Sequence, residues 1–359
     1  MVERDEPGRF DDLLTTEDVE RLLESGGLRS PAFRLVRADR KLRSGDYLVD
    51  VPWRPAAFTG MADVVRVAEA FDEGATLVVQ GLHHWWPALG SFCRSLERTL
   101  GHPAQANAYS TPRSAQGLPV HHDTHDVFCL QLAGEKRWLV YEPVWELPLK
   151  DQRYDRSMGD AGAPVLDVTL QPGDTLYLPR GWMHEAQTSD TESLHRTIGV
   201  NVATWLDAFR AALDECGDDV DFRRSPAGSA EALVARLAAK LGPDDVRRRM
   251  RRKLVRTRRP VLEGHLAELR ALRDLDCASV LERRESVLAD LELREGKAVL
   301  VFEGRELEFP DRLRRELEFV LATDEPFCAE DLPGKLDADG RLVFVTRLVR
   351  EGVLRVTPD

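Results

Sequence analysis

No stretch of this chain is apolar for long enough to cross a bilayer, and its start shows no basic segment followed by an apolar run of the secretory kind. Both absences set the expectation of an intracellular, cytoplasmic protein. Cysteine is scarce: Cys93, Cys129, Cys216, Cys277 and Cys328 are scattered, odd in number and never spaced Cys-x-x-Cys. That excludes a disulfide framework and fits reduced thiols. A basic excess is missing too, since 50 lysines and arginines stand against 62 acidic residues, a net charge of −12. Such a balance argues against a nucleic-acid binder overall. There is no internal repeat and no low-complexity tract, which removes solenoids and disordered arrays. What is left is a chain of 359 residues, long enough for two or three domains and a sizeable core.

Against that background two short stretches stand out. One is Leu-Pro-Val-His-His-Asp-Thr-His-Asp-Val-Phe from Leu118 to Phe128, the other Leu-Pro-Arg-Gly-Trp-Met-His from Leu178 to His184. His121, Asp123 and His184 are two imidazoles and one carboxylate, the donor set of a mononuclear non-haem Fe(II) site that keeps one face of the metal open. His121 and Asp123 are two apart, so on a strand both point to one side. His184 comes from a later strand, after Asp174 to Pro179 and a turn at Gly181. Taken alone, His-x-Asp is a weak signal, and a hydrogen-bonded surface pair satisfies it equally. His125 continues the same alternation and competes as third ligand. Three ligands from one straight strand lie in a line with alternate residues about 6.5–7 Å apart. His184 is therefore the expected ligand, and His125 a neighbour of the site or a packed histidine.

Behind the first motif runs the apolar strand Val127 to Leu132. Then come Gly134 and a second strand, Lys136 to Tyr141, read together as a hairpin. A lysine there is costly to bury without an anion and sensible if it meets a carboxylate. The cluster His83-His-Trp-Trp86 beside Pro87 is read as aromatic packing at a helix start. Thr16 to Leu23, with Thr16 as N-cap before acidic residues, and Met61 to Phe71 read as helices, Leu77 to Gln80 as a short strand.

The remainder divides in two. Residues 206–280 read as helical, with leucines on helical spacing at 213, 233, 237 and 241 and at 262, 266, 269 and 272. Apolar stripes without a second layer suggest a partner copy. The basic run Arg247 to Lys253 is read as a solvated helix face, with RNA or an acidic partner as the alternative. Residues 281–359 read as a small winged-helix-like module: a hairpin around Glu303-Gly304-Arg305, helices over Leu313 to Leu321 and Phe327 to Leu332, and a closing strand Val353 to Val356. Residues 290–359 hold 17 acidic and 11 basic side chains, which argues against phosphate contacts and for protein docking.

With their flanks, the two motifs resemble the JmjC-type 2-oxoglutarate oxygenases, specifically the bacterial type of the ribosomal-oxygenase (cupin-4) group, which hydroxylates ribosomal proteins. The likeness runs from Gly101 to Pro112, through Gln116 to Phe128 and Leu130 to Trp138, to Leu178 to His184 and Ser193 to Thr197. It implies an α+β chain: a double-stranded β-helix (cupin/JmjC jelly roll) over 1–205, a helical dimerisation region over 206–280 and a winged-helix-like module over 281–359. It implies Fe(II) on His121, Asp123 and His184, with 2-oxoglutarate and O2 as co-substrates. Lys136 falls where the family holds the distal carboxylate of 2-oxoglutarate, and Asn107, Tyr109 and His195 where it lines the co-substrate pocket. Arg113 and Ser114 depart from the small or glycine residues of many relatives, and no role carries over to His125. The implied activity is hydroxylation of an arginine or histidine side chain in a protein, most naturally ribosomal, by a homodimer without membrane or nucleic-acid contacts. Oxidation of a biosynthetic peptide or small molecule, hydrolytic zinc chemistry and a non-catalytic scaffold are the competing readings; Lys136 favours the oxygenase.

Overall fold

The computed structural model describes residues 1–357. Contacts divide the chain into two units. The first is Met1–Cys93 with Pro103–Val202; the second is Arg94–His102 with the chain from Ala203 onward.

The first unit opens with β1 (Val2–Glu3) and α1 (Thr16–Glu24). Thr15, not Thr16, caps α1, in a reciprocal capping box with Asp18. β2 (Phe33–Val36), β3 (Leu48–Pro52) and β4 (Ala57–Ala62) follow. α2 (Val64–Asp72) starts later than the sequence suggests, because Met61 and Ala62 belong to β4 and Asp63 is the N-cap. Then come β5 (Thr76–Val79), α3 (Pro87–Leu100), whose last turns group with the second unit, and β6 (Ala104–Thr111). β7 (Asp126–Gly134), β8 (Lys136–Tyr141), β9 (Leu166–Leu170), β10 (Thr175–Leu178), β11 (Met183–Gln187) and β12 (Ser193–Val200) complete the unit.

Ten of these strands form a seven-stranded sheet, β1-β10-β7-β12-β6-β5-β2, and a three-stranded sheet, β11-β8-β9, while β3 and β4 pair with each other; every pair is antiparallel. Val127, Cys129, Leu176 and Leu178 of the large sheet pack with Trp138, Val140 and Leu170 of the small one in a shared apolar layer. This is the two-sheet sandwich expected of a double-stranded β-helix.

One expectation fails here. β7 and β8 are not a hairpin. Both edges of β7 are taken, by β10 and β12, so the following strand has no free edge to pair with. The chain instead steps to the other sheet through Gly134 and Glu135. Gly134 has φ +59°, and a Cβ there would collide with the carbonyl of Glu192. The step places Lys136 opposite β7 across the sandwich rather than beside it.

The second unit holds α4 (Trp205–Cys216), α5 (Glu231–Ala239), α6 (Pro243–Thr257) and α7 (His265–Ala271), then β13 (Val280–Arg283), β14 (Ala289–Arg294), β15 (Lys297–Phe302) and β16 (Arg305–Pro310). α8 (Arg314–Ala322), β17 (Phe327–Cys328), α9 (Ala338–Arg350) and β18 (Leu354–Val356) end it. β15 is buried on both faces, which explains its unbroken apolar run. Ala298, Leu300 and Phe302 face one core, while Val299 and Val301 meet Leu254 and Val255 of α6. The helix expected over Phe327 to Leu332 is instead β17 and a single turn of 3₁₀-helix. The Asp331 carboxylate accepts from the Cys328 N–H and closes that turn, and Pro333 follows at once.

The basic run on α6 is a solvated face, as expected, with Arg247, Arg248, Arg251 and Arg252 exposed, but its charges are paired. Arg249 pairs with Glu215, Arg251 with Asp290, Arg252 with Glu292, and Arg256 with Glu306, while Arg247 and Arg248 pair with Asp244 and Asp245. Most of its charge is spent inside the unit.

Candidate active site

His121, Asp123 and His184 converge. Among the described residues they form a group whose ligand atoms all lie within 4.8 Å of one another. They do so without the regular strand that the sequence suggested. Residues 122–125 are irregular, and His121 is held by an isolated antiparallel bridge to His184. The His121 N–H donates to the His184 carbonyl (3.1 Å) and the His184 N–H to the His121 carbonyl (2.8 Å). The Asp123 carbonyl accepts from the Gly181 N–H at 3.0 Å. Gly181 has φ +89° at the turn between β10 and β11, so the arm carrying two ligands is fastened to the turn preceding the third. The alternation survives the loss of the strand. His122 points the other way, its Nε2 3.1 Å from the Gln152 carbonyl and its ring edge-on to Tyr154. His125 is not part of the group. Its ring packs against Gly199, where a Cβ would overlap it, and its Nε2 lies 3.2 Å from Gln105 Nε2.

The donor set suits a divalent metal. Nδ1 of His121 lies 2.8 Å from the Pro119 carbonyl and Nδ1 of His184 lies 3.1 Å from the Trp182 carbonyl. A carbonyl only accepts, so each ring carries its proton on Nδ1 and offers a bare Nε2. Burial, with His121 beside it, pushes His184 down to about 4, so it is neutral at physiological pH. Burial opposes the charge of Asp123, but His184 and His121 outweigh it and hold the carboxyl below its ordinary range.

Between the two sheets lies a cavity of about 230 Å³. His121, Asp123 and His184 line it, together with Lys136, Tyr109 and His195. Lys136 is 3% exposed, and its Nζ donates to Thr111 Oγ1 at 2.8 Å; that hydroxyl lies 3.1 Å from Thr76 Oγ1. Burial pulls its pKa down to about 7. No carboxylate among the described residues pairs with it, so an acidic ligand entering the cavity would favour its charged form. His195 stacks on Tyr109 with centroids 4.8 Å apart and meets the Trp138 ring edge-on at 5.4 Å. Burial, and Lys136 second, keep His195 neutral, while burial and then Asp123 push Tyr109 up to about 12, so its hydroxyl stays protonated. His195 Nδ1 and Trp138 Nε1 are buried without a hydrogen-bond partner. A dicarboxylate chelating a metal at the triad and reaching Lys136 would satisfy this lining.

Asn107 sits on the same face of β6 as Tyr109, but its Oδ1 accepts from the Gly81 N–H at 3.0 Å, and it is not among the lining residues. Arg34, Thr76, Thr111 and Trp138 went unnoticed in the sequence. Thr111 and Trp138 lie inside the motifs already singled out. Arg34 and Thr76 are brought in by the pairing of β2 and β5 with β6, for which the sequence carries no local signal. The floor is held by side chains too. Glu185, next to His184, accepts from Tyr141 Oη (2.6 Å) and Gln116 Nε2 (2.7 Å), and Gln116 Nε2 also reaches the Leu118 carbonyl. This fastens the lining segment Gly117–Leu118 to β11.

The comparisons agree with this geometry. Residues 87–208 match the JmjC domain family. The bifunctional lysine-specific demethylase and histidyl-hydroxylase NO66 of Drosophila persimilis is 36% identical over 129 residues, 36% of this chain and 19% of that protein. Ribosomal oxygenase 2 of Mus musculus is 31% identical over 207 residues, 55% of this chain and 41% of that protein. The chain thus spans less than half the length of these curated relatives. Among solved structures, the Escherichia coli ribosomal oxygenase YcfD superposes with TM-score 0.56 at 17% identity, covering 98% of this chain and 92% of that one. Its complex with cobalt and 2-oxoglutarate gives 0.54 at 18%, with the same coverage. At that identity the likeness speaks for the fold, a cupin-type JmjC sandwich. With that fold and a His-Asp-His group in its cavity, the chain carries a segment that matches the JmjC domain family and is similar over part of its length to the ribosomal oxygenases.

Proposed function

We propose that this chain is an Fe(II)- and 2-oxoglutarate-dependent oxygenase that hydroxylates an amino-acid side chain, arginine or histidine, of a ribosomal protein. The observation that carries the reading is the buried, anion-free Lys136 in the same cavity as His121, Asp123 and His184. A hydrolytic zinc site needs no such lysine, and a scaffold would bury it at a cost with no return. NO66 is named a histidyl-hydroxylase and YcfD a ribosomal oxygenase, which supports the substrate class.

His121, Asp123 and His184 hold the metal. Iron(II) and 2-oxoglutarate, when bound, supply the oxidising chemistry: O2 is consumed as 2-oxoglutarate becomes succinate and CO2, and one oxygen atom enters a substrate C–H bond. Lys136 pairs with the distal carboxylate, assisted by the Thr111 hydroxyl. Trp138 Nε1 and His195 Nδ1 offer hydrogen bonds to the co-substrate. The Tyr109 hydroxyl, kept protonated, donates at the cavity wall. Asn107 acts behind the wall, fixing the turn at Gly81.

The same reading makes 1–205 the catalytic part, 206–280 the region of homodimerisation and 281–359 a winged-helix-like module for protein docking, with the cytoplasm as site of action. On α4, Trp205, Phe209 and Leu213 recur every fourth residue and are exposed, an apolar stripe that a second copy would cover. The deciding experiment is mass spectrometry of ribosomal proteins from cells with and without the chain. A gain of one oxygen on a defined residue supports the proposal; identical spectra, with no 2-oxoglutarate turnover by the Fe(II)-loaded chain, refute it.

A further inference from the structure

Arg34 is the basic residue at the open side of the cavity. It lies on β2 opposite Val78 of β5, which lies opposite Tyr109 of β6, which lies opposite His195 of β12. Cross-strand partners share a face, so these side chains form one row ending at the cavity. Arg34 is exposed, whereas Lys136 and His195 are buried, which makes its end the mouth. Its guanidinium makes no ion pair and no hydrogen bond among the described residues. The arginines of α6, by contrast, are paired with carboxylates. Among the residues lining the cavity the single carboxylate is Asp123, which is committed to the metal. Apart from Lys136, which the proposed function assigns to the co-substrate, the remaining polar wall is neutral, including the Tyr109 and Thr197 hydroxyls.

We propose that Arg34 is a specificity residue that admits a neutral, hydrogen-bonding side chain to the cavity and rejects a cationic one. The inference rests on the protein-hydroxylase reading above and narrows it. A guanidinium or ammonium entering would pass Arg34 and then face a metal ion, with no free carboxylate to receive it; like charges placed together are how a site excludes a competitor. A neutral imidazole or carboxamide meets no such penalty. Its acceptor atom, or a carbonyl of the peptide beside it, can take the N–H groups of Arg34 that nothing else uses. Of the two residues considered above, histidine in its neutral form fits and arginine does not.

The test uses the full, Fe(II)-loaded chain and a ribosomal-protein peptide made in four forms, with histidine, asparagine, arginine or lysine at the reacting position. The wild type should oxidise the neutral forms with kcat/KM at least about tenfold above the cationic ones, a factor equal to about 1.4 kcal/mol. Arg34→Glu should shrink or invert that ratio by a similar factor. Arg34→Gln, which removes the charge but keeps donors, should fall between. Fluorescence anisotropy of the labelled peptides on the cobalt-loaded chain, where Asp123 is occupied, should give the same ranking, and a melting curve checks that each variant folds. A wild-type preference for arginine or lysine, or a ratio unmoved in Arg34→Glu, overturns the assignment. Absence of 2-oxoglutarate turnover, or turnover with no peptide oxidised, overturns instead the function on which it rests.

Discussion

His121 and His184 are backbone partners as well as candidate ligands to one metal. Two main-chain hydrogen bonds join them, and their rings stand 4.4 Å apart at 53°. The distance between the two imidazoles is therefore set by the backbone before any metal arrives. Asp123, tied through its carbonyl to Gly181, is placed by the same element. A site preorganised in this way loses little entropy on binding its ion.

His121→Ala, Asp123→Ala or His184→Ala should each abolish stoichiometric Fe(II) binding and 2-oxoglutarate turnover. His125→Ala should keep full metal content, because that ring packs against Gly199 outside the ligand group. Metal analysis of the purified variants checks this. Loss of iron from the His125 variant with retention in the His184 variant would mean that the third ligand is misidentified.

Lys136 should give the co-substrate-free chain a distinctive pH dependence. Burial holds its folded pKa near about 7, against an ordinary 10.5. Between these values the unfolded chain binds more protons than the folded one, so stability rises with pH across that window and is lost as pH falls through about 7. Lys136→Met should remove this slope and melt higher than the wild type at pH 6. The same substitution should weaken 2-oxoglutarate binding by about 1.5–3 kcal/mol. The wild-type affinity should fall as pH rises above about 7, where binding must take up a proton. Calorimetry with cobalt in the metal site measures both; an affinity unchanged by Lys136→Met would place the distal carboxylate elsewhere.

Glu185 should act on the co-substrate through Gln116. Glu185→Ala frees the Gly117–Leu118 segment and leaves Tyr141 without its acceptor, a loss of about 1–3 kcal/mol in stability. The KM for 2-oxoglutarate should rise more than kcat falls, and Glu185→Gln, which still accepts from Tyr141, should recover part of the effect. A kcat loss with an unchanged KM would refute a positioning role.

Two kinds of arginine pair should behave differently in the second unit. Glu97 is buried and receives both Arg94 and Arg258. Glu97→Ala strands those guanidinium groups and should cost about 3–5 kcal/mol. Arg252 is half exposed at Glu292, and Arg252→Ala should cost about 0–1 kcal/mol. Denaturant titration separates them, and equal losses would contradict the burial argument.

If the exposed stripe of α4 is a dimer seam, Phe209→Glu should shift the chain from dimer to monomer in light scattering without lowering its 2-oxoglutarate affinity. A monomeric wild type would refute the seam.

That His121, Asp123, His184 and Lys136 belong together was legible in the sequence because their chemistry is conspicuous: a facial donor set at workable spacing, and a lysine at the start of a strand that runs on through Trp138, Leu139 and Val140. Helix α1 and the turn at Glu303-Gly304 were legible because they are written in adjacent residues, although the cap of α1 falls one residue earlier than read, at Thr15. What the sequence could not carry was pairing. The free edge that β8 lacks on β7 is decided by β10 and β12, strands from far along the chain. The arginines of the solvated face on α6 are paired with Asp290, Glu292 and Glu306, which follow them in sequence by dozens of residues. Arg34 lies in an unremarkable stretch, and only the register of β2 on β5 on β6 brings it to the mouth of the cavity. Local sequence sets what each residue can do chemically; which residues meet is a property of the sheets, because hydrogen-bonded register joins segments whose order along the chain says nothing about their distance in space.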